Sequence, residues 1–137
     1  MEVCNLMIGD LVQFDEDTCV IEELRVDGTA VLVAMNTDLT SVDGDQVDVE
    51  ELYPIPLTED ILVKNGFQKL NDKTFLLKNQ IEIEVGPKFS EVSARYEDYD
   101  RDYNSYSNRY IEIAIIHYVH ELQHLLRLMG VEKEIEL

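Results

Sequence analysis

A chain of 137 residues, 45% hydrophobic and 29% charged, has the apolar content for one domain or two small modules sharing a surface, and is not a disordered chain. Its 29 acidic residues outnumber 11 basic ones, giving a formal net charge of −18. So acidic a surface repels phosphate backbones, which excludes a simple nucleic-acid binder and leaves basic protein partners, cations or mimicry of nucleic acid as compatible roles.

The first ten residues, MEVCNLMIGD, lack the basic and apolar regions of a secretory leader. No apolar run approaches the roughly 20 residues of a membrane span. Cys4 and Cys19 form no CxxC pair, so the expectation is a cytoplasmic protein with reduced thiols, Cys19 packing as a small core residue. Residues 1–55 hold 14 acids and a single base, Arg25, so the acidic excess is concentrated at this end.

LVQF (Leu11–Phe14), TCVIEELRV (Thr18–Val26) and TAVLVAM (Thr29–Met35) read as strands, rich in β-branched and apolar residues. Asp27-Gly28 suggests a two-residue hairpin turn between the last two. Asp43-Gly44 marks another turn before QVDVEELY (Gln46–Tyr53), whose alternation fails at Glu50-Glu51. Short strands packed into about 55 residues predict an SH3-like small β-barrel over residues 1–56, a fold that often serves as a binding module. Pro54 and Pro56 favour an extended connector and the boundary with a second module, 57–137.

Thr58 is a good N-cap for a short helix that opens with Glu59 and Asp60 and stops at Asn65-Gly66, with Leu57 able to staple onto Leu62. GFQKL, KTFLL and QIEIEV, joined at Asn71-Asp72 and Asn79, read as an antiparallel meander. RYIEIAII (Arg109–Ile116) reads as a further, more buried strand, and a closing helix is expected over about 118–129, stopped by Gly130. The predicted class is therefore α+β: an SH3-like barrel, a helix, a meander and a C-terminal helix.

Between them lies EVSARYEDYDRDYNSYSNRY, with five of the seven tyrosines. Spacings of three and four would align Tyr96, Tyr99, Tyr103, Tyr106 and Tyr110 on a helix, but the composition is poor for helix and the flanks are strand-like. A long hairpin is the preferred reading. Tyrosines on such a loop supply rigid, amphipathic contact area, so Tyr99, Tyr103 and Tyr106 are the candidate binding residues, with an unidentified protein as partner. Asp98, Asp100, Asp102 and Asn104 alternate like the start of a calcium loop, yet that loop needs Gly sixth and Glu twelfth, where this chain has Tyr103 and Arg109.

The closing helix contains HELQH, His120 to His124, an H-E-x-x-H match. Histidines at i and i+4 can share a zinc ion while the Glu acts as general base, which would make His120 and His124 ligands and Glu121 the base of a hydrolase. The extended form of the motif is absent, with Arg127 and Gly130 at its Gly and last His positions. His117 would stand about 10 Å from His124 along a helix. A third ligand from Glu132, Glu134 or Glu136 requires the tail to fold back. An ordinary amphipathic helix with Val119, Leu122, Leu126 and Met129 inward and both histidines outward is preferred, with no metal and no cofactor.

The stretches YPIPLTEDILVKNGF and IHYVHELQHLLRLMG resemble a family of short proteins, without an assigned activity, encoded by phages and prophages of Bacteroidales gut bacteria. The two blocks cover about a third of the chain. At the positions of Glu121 and His124 that family carries Gln and Asn, which implies a helix kept for reasons other than zinc. The resemblance implies a non-enzymatic accessory protein acting in a bacterial host cell.

Overall fold

The computed structural model describes residues 5–34, 46–78 and 80–137. Cys4, Met35, the Asp43-Gly44 turn and Asn79 lie outside the described residues. The fold is α+β; among the described residues it has two antiparallel five-stranded sheets and two α-helices, and the chain divides into two compact units. Met1–Pro56 and Tyr118–Glu134 make the first; Leu57–His117 and Ile135–Leu137 make the second. The closing helix, grouped with 57–137 on sequence grounds, thus belongs with the N-terminal strands.

The first unit has strands β1 (Leu11–Phe14), β2 (Asp17–Leu24), β3 (Thr29–Ala34), β4 (Gln46–Asp48) and β5 (Tyr53–Pro54) in the order β4-β3-β2-β1-β5. Alternation buries one face: Val12, Cys19, Ile21, Ala30 and Leu32 are fully inaccessible and pack in one cluster with Val49 and Leu52. The expected single strand over Gln46–Tyr53 is split by a 3-10 turn, Val49–Glu51, at the point where Glu50-Glu51 breaks the alternation. The chain then returns to pair β5 with β1, Tyr53 opposite Gln13 and Pro54 opposite Val12. Pro54 is tolerated there because β5 is an edge, where a missing N–H costs no ladder bond. Among the described residues β4 and β5 do not pair, so no sheet closes on itself.

The β2–β3 turn has three residues, not two. Arg25 N–H donates to the Thr29 carbonyl at 2.9 Å, leaving Val26-Asp27-Gly28 as the loop, with Gly28 at φ 86° where only glycine sits without strain. Asp27 accepts from both the Thr29 N–H and its hydroxyl, at 3.0 and 2.6 Å. These bonds hold the Asp27 carboxyl below the usual carboxylate range. Arg25 meets Glu23 at 2.8 Å and Gln46 at 2.6 Å.

In the second unit, helix α1 (Glu59–Lys64) precedes a meander of β6 (Gln68–Lys69), β7 (Thr74–Leu77), β8 (Ile81–Val85), β9 (Ser90–Asp100) and β10 (Ser105–Ile116), each strand hydrogen-bonded to the next. Thr58 caps α1 by accepting from Ile61 N–H at 3.4 Å. Leu62, Phe75, Ile81, Ile83 and Val92 are buried. Asn65 does more than stop the helix. Its buried amide donates to the carbonyls of Ile61 and Glu136, at 2.7 and 2.6 Å, and accepts from Glu136 N–H at 2.8 Å.

Asn65→Ala removes its two bonds to the Glu136 backbone and its bond to the Ile61 carbonyl, each worth about 0.5–1.5 kcal/mol. The expected outcome is a lower urea midpoint together with faster amide exchange at Ile135–Leu137 than in the parent.

Candidate functional site

Helix α2 (Val119–Leu128) carries the H-E-x-x-H residues, and its polar side chains are committed to the fold of the first unit. Asp10, with no exposed surface, is their focus. One carboxylate oxygen accepts from Met7 N–H at 2.7 Å, within the tight turn closed by Asp10 N–H donating to the Met7 carbonyl at 3.1 Å. His124 Nε2 lies 2.9 and 2.7 Å from the two oxygens, and Arg127 reaches Oδ1 at 3.5 Å. A carboxylate only accepts, so His124 Nε2 carries the hydrogen. Gly9, at φ 90°, sits where a Cβ would come within 2.9 Å of the Arg127 guanidinium.

Gln123 makes the second tether. Its Oε1 accepts from Leu11 N–H at 2.9 Å and its Nε2 donates to the Gly9 carbonyl at 3.1 Å, so one side chain reads the backbone entering β1. Sequence reasoning missed Gln123, although it stands four residues after Val119 and three before Leu126, squarely on the apolar stripe. A polar residue in that register needs a buried partner.

His120 corrects the expectation that both histidines face away from the core. It is only 3% exposed, stacked on Tyr118 with ring centroids 5.8 Å apart, and its Nδ1 has no hydrogen-bond partner among the described residues. Burial pushes its pKa below the ordinary value, while the Asp10 and Glu121 carboxylates pull the other way. Glu121 Oε2 accepts from Tyr118 N–H at 3.0 Å, a helix-capping contact rather than the pose of a general base. The His120 and His124 rings do share a side, 5.7 Å apart and edge to face. Yet His124 is turned to Asp10 and Glu121 to the helix start, and among the described residues no three His, Cys, Asp or Glu side chains could hold a metal ion together. Cys19 is buried, and burial first and Asp17 second push its thiol up, away from the reactive thiolate.

The tyrosine segment is the other candidate, and it forms a hairpin rather than a helix. β9 and β10 pair from Ser90–Ile116 to Asp100–Ser105. Tyr99 faces Tyr106 directly, ring centroids 4.9 Å apart, and cross-strand register puts Tyr110 on the same face. Tyr96 falls on the opposite face, and Tyr103 stands in the turn at 81% exposure. The structure therefore joins Tyr99 with Tyr106, keeps Tyr103 at the tip, and adds Tyr110, which only the pairing register could reveal.

The turn is organised by its own side chains. Asp100 accepts from Asp102 N–H at 2.9 Å, Asn104 takes φ 47°, and Tyr99 donates its hydroxyl to the Asn104 side chain. Asp98 meets Arg109 at 3.2 Å across the strands. Three of the four side chains that suggested a calcium loop, Asp98, Asp100 and Asn104, are thus engaged within the hairpin. The expectation that Arg109–Ile116 is more buried fails: Ile111, Ile113 and Ile115 are 53%, 41% and 51% exposed, because β10 is the outermost strand of its sheet.

Asp10→Ala leaves Met7 N–H, His124 and Arg127 without their shared acceptor. Loss of hydrogen bonds to a charged acceptor costs about 1.5–3 kcal/mol, to be read as a drop in urea midpoint at constant slope. His120 generates a pH effect of defined sign. Its folded-state pKa lies below the unfolded value of about 6.5, so the unfolded chain takes up the proton first as pH falls. Stability is fully present above that pH and declines below it. His120→Phe is expected to keep the ring stacking, remove the orphaned nitrogen, and flatten this part of the acid slope in thermal melts between neutral and mildly acidic pH.

Among the described residues no helix is long and apolar enough to cross a membrane. Comparison with family models, with curated proteins and with solved structures finds no match to this chain.

Proposed function

We propose that this is a small, acidic, non-enzymatic binding protein that engages another protein through the β9–β10 hairpin, with Tyr99 and Tyr106 as its aromatic platform and Tyr103 at the tip. The observation that carries this reading is an ordered hairpin displaying stacked and exposed tyrosines. Tyrosines supply rigid, amphipathic contact area at low entropic cost, which is why binding surfaces are rich in them. Tyr110, on the platform's face, extends it. The partner is basic, in keeping with the net charge of −18, and direct binding to nucleic acid or membrane is not part of the proposal.

The first unit supports a second contact. Our reading of this unit remains an SH3-like module, a frequent binding platform; the 3-10 turn between β4 and β5 and the pairing of β5 with β1 support it, although the sheet is open. The 14 acids among residues 1–55 give that unit the charge of a nucleic-acid mimic, able to occupy a basic groove. The resemblance to phage and prophage proteins suits an accessory factor working in the bacterial cytoplasm on a host protein. A zinc hydrolase built on His120, His124 and Glu121 is the weaker reading, since all three side chains serve the folded helix.

The test is affinity capture from a bacterial lysate with the parent and with Tyr103→Ala/Tyr106→Ala, each position being exposed enough for the fold to survive. The expected outcome is one or a few basic proteins retained by the parent, lost from the variant and released as salt rises. Equal capture by both proteins, or capture indifferent to salt, would remove the hairpin from the binding surface.

A further inference from the structure

Among the described residues four strands lie at sheet edges, and three of them are short. β4 has three residues, β5 has two and includes Pro54, and β6 has two. Short edges and proline are the usual means of stopping a sheet from recruiting another strand. β10 is different: twelve residues, SYSNRYIEIAII, with neither proline nor lysine. Its one irregularity is a bulge between Glu112 and Ala114, with Ile113 as the extra residue.

From Tyr110 to Ile116 the edge carries apolar side chains on both faces, whereas Ser105 to Arg109 is polar apart from Tyr106. Register sets Ile111, Ala114 and Ile116 on the face of Val92 and Ala94, and Tyr110 and Ile115 on the other. Full-length antiparallel pairing of two β10 strands is centred between Tyr110 and Ile111 and sets Arg109 of each copy opposite Glu112 of the other. β10 is also the low-charge part of a very acidic chain. Arg109 and Glu112 are its only charged residues, so two copies of β10 would meet without net charge along the seam.

Extent points the same way. A twelve-residue strand spans about 40 Å. With a strip of about 10 Å on each face, it offers on the order of 800 Å² per copy, the size of a standard interface.

We infer that β10 is a self-association edge, on which a second copy of this chain pairs β10 to β10, antiparallel, across a two-fold axis normal to the sheet. The two meanders then form one continuous ten-stranded sheet. Both copies turn the Tyr99–Tyr106–Tyr110 face to the same side, so a partner would meet a doubled platform. The inference stands on the edge geometry and does not depend on what the tyrosines bind.

Sedimentation velocity on the full chain, from low micromolar to several hundred micromolar, tests it. A monomer–dimer equilibrium is expected, strengthened by salt because the copies carry like net charge. Ile111→Lys/Ile115→Lys puts ammonium groups on both faces of the seam. It should weaken association at least tenfold while leaving the thermal midpoint unchanged. Concentration-dependent amide-exchange protection in β10 of the parent supplies a measurement that needs no variant. A parent that stays monomeric throughout overturns the inference. So does a dimer that the folded double variant retains, one that salt weakens, or β10 amides whose protection ignores concentration.

Discussion

A carboxylate with no access to water has to find its donors inside the protein, and Asp10 finds them in places far apart in the chain. The Met7 amide closes the local turn, while His124 and Arg127 arrive from a helix more than a hundred residues later. Gln123 adds two backbone contacts beside the same turn. The first unit depends on this cluster, because it joins the C-terminal helix to the strands laid down at the N-terminus. The apolar stripe of Val119, Leu122 and Leu126 supplies non-directional burial, and the polar cluster sets which turn of the helix meets which residue of the chain.

The same cluster shows how a motif that looks like chemistry can serve the fold. Zinc hydrolysis asks for two histidines on one side of a helix and a carboxylate between them, and a helix docked on a buried Asp asks for nearly the same residue types. The two differ only in where the side chains point. His124 points to Asp10, Glu121 folds back to the amide of Tyr118, and His120 lies flat against the Tyr118 ring. Carboxylate and imidazole are as useful for closing a helix end and satisfying a buried acid as for binding a metal.

The second unit shows a different balance. Its strands are joined in simple succession, so local contacts between neighbours account for the whole sheet. The last hairpin outgrows its core: Val92 and Ile116 are buried, while the strands beyond them are paired to each other and open to solvent. Backbone pairing, the Tyr99–Tyr106 contact and the Asx turn at Asp100 hold an arm that core burial does not. An arm built that way is free to use its side chains for contacts outside the unit.

Much of this was legible in the residues. Leu11–Phe14 reads as a strand from four letters and Thr58 and Gly66 bracket a helix, because each is a local preference of backbone and side chain; the failure of alternation at Glu50-Glu51 was visible, but the 3-10 turn that splits the expected strand there was not read from it. The tyrosine hairpin was legible too, from poor helix formers between strand-like flanks. What the residues alone left open were matters of pairing and orientation. Ile111, Ile113 and Ile115 read as core, since apolar content cannot tell a central strand from an edge. Tyr110 joined the platform only once cross-strand register was known. His120 read as outward and Gln123 went unnoticed, because a helix's polar face is defined by what packs against it, and that was a fully buried Asp10 at the other end of the sequence. Local propensity is written in neighbouring residues; the partner of a buried polar group is chosen by the tertiary fold.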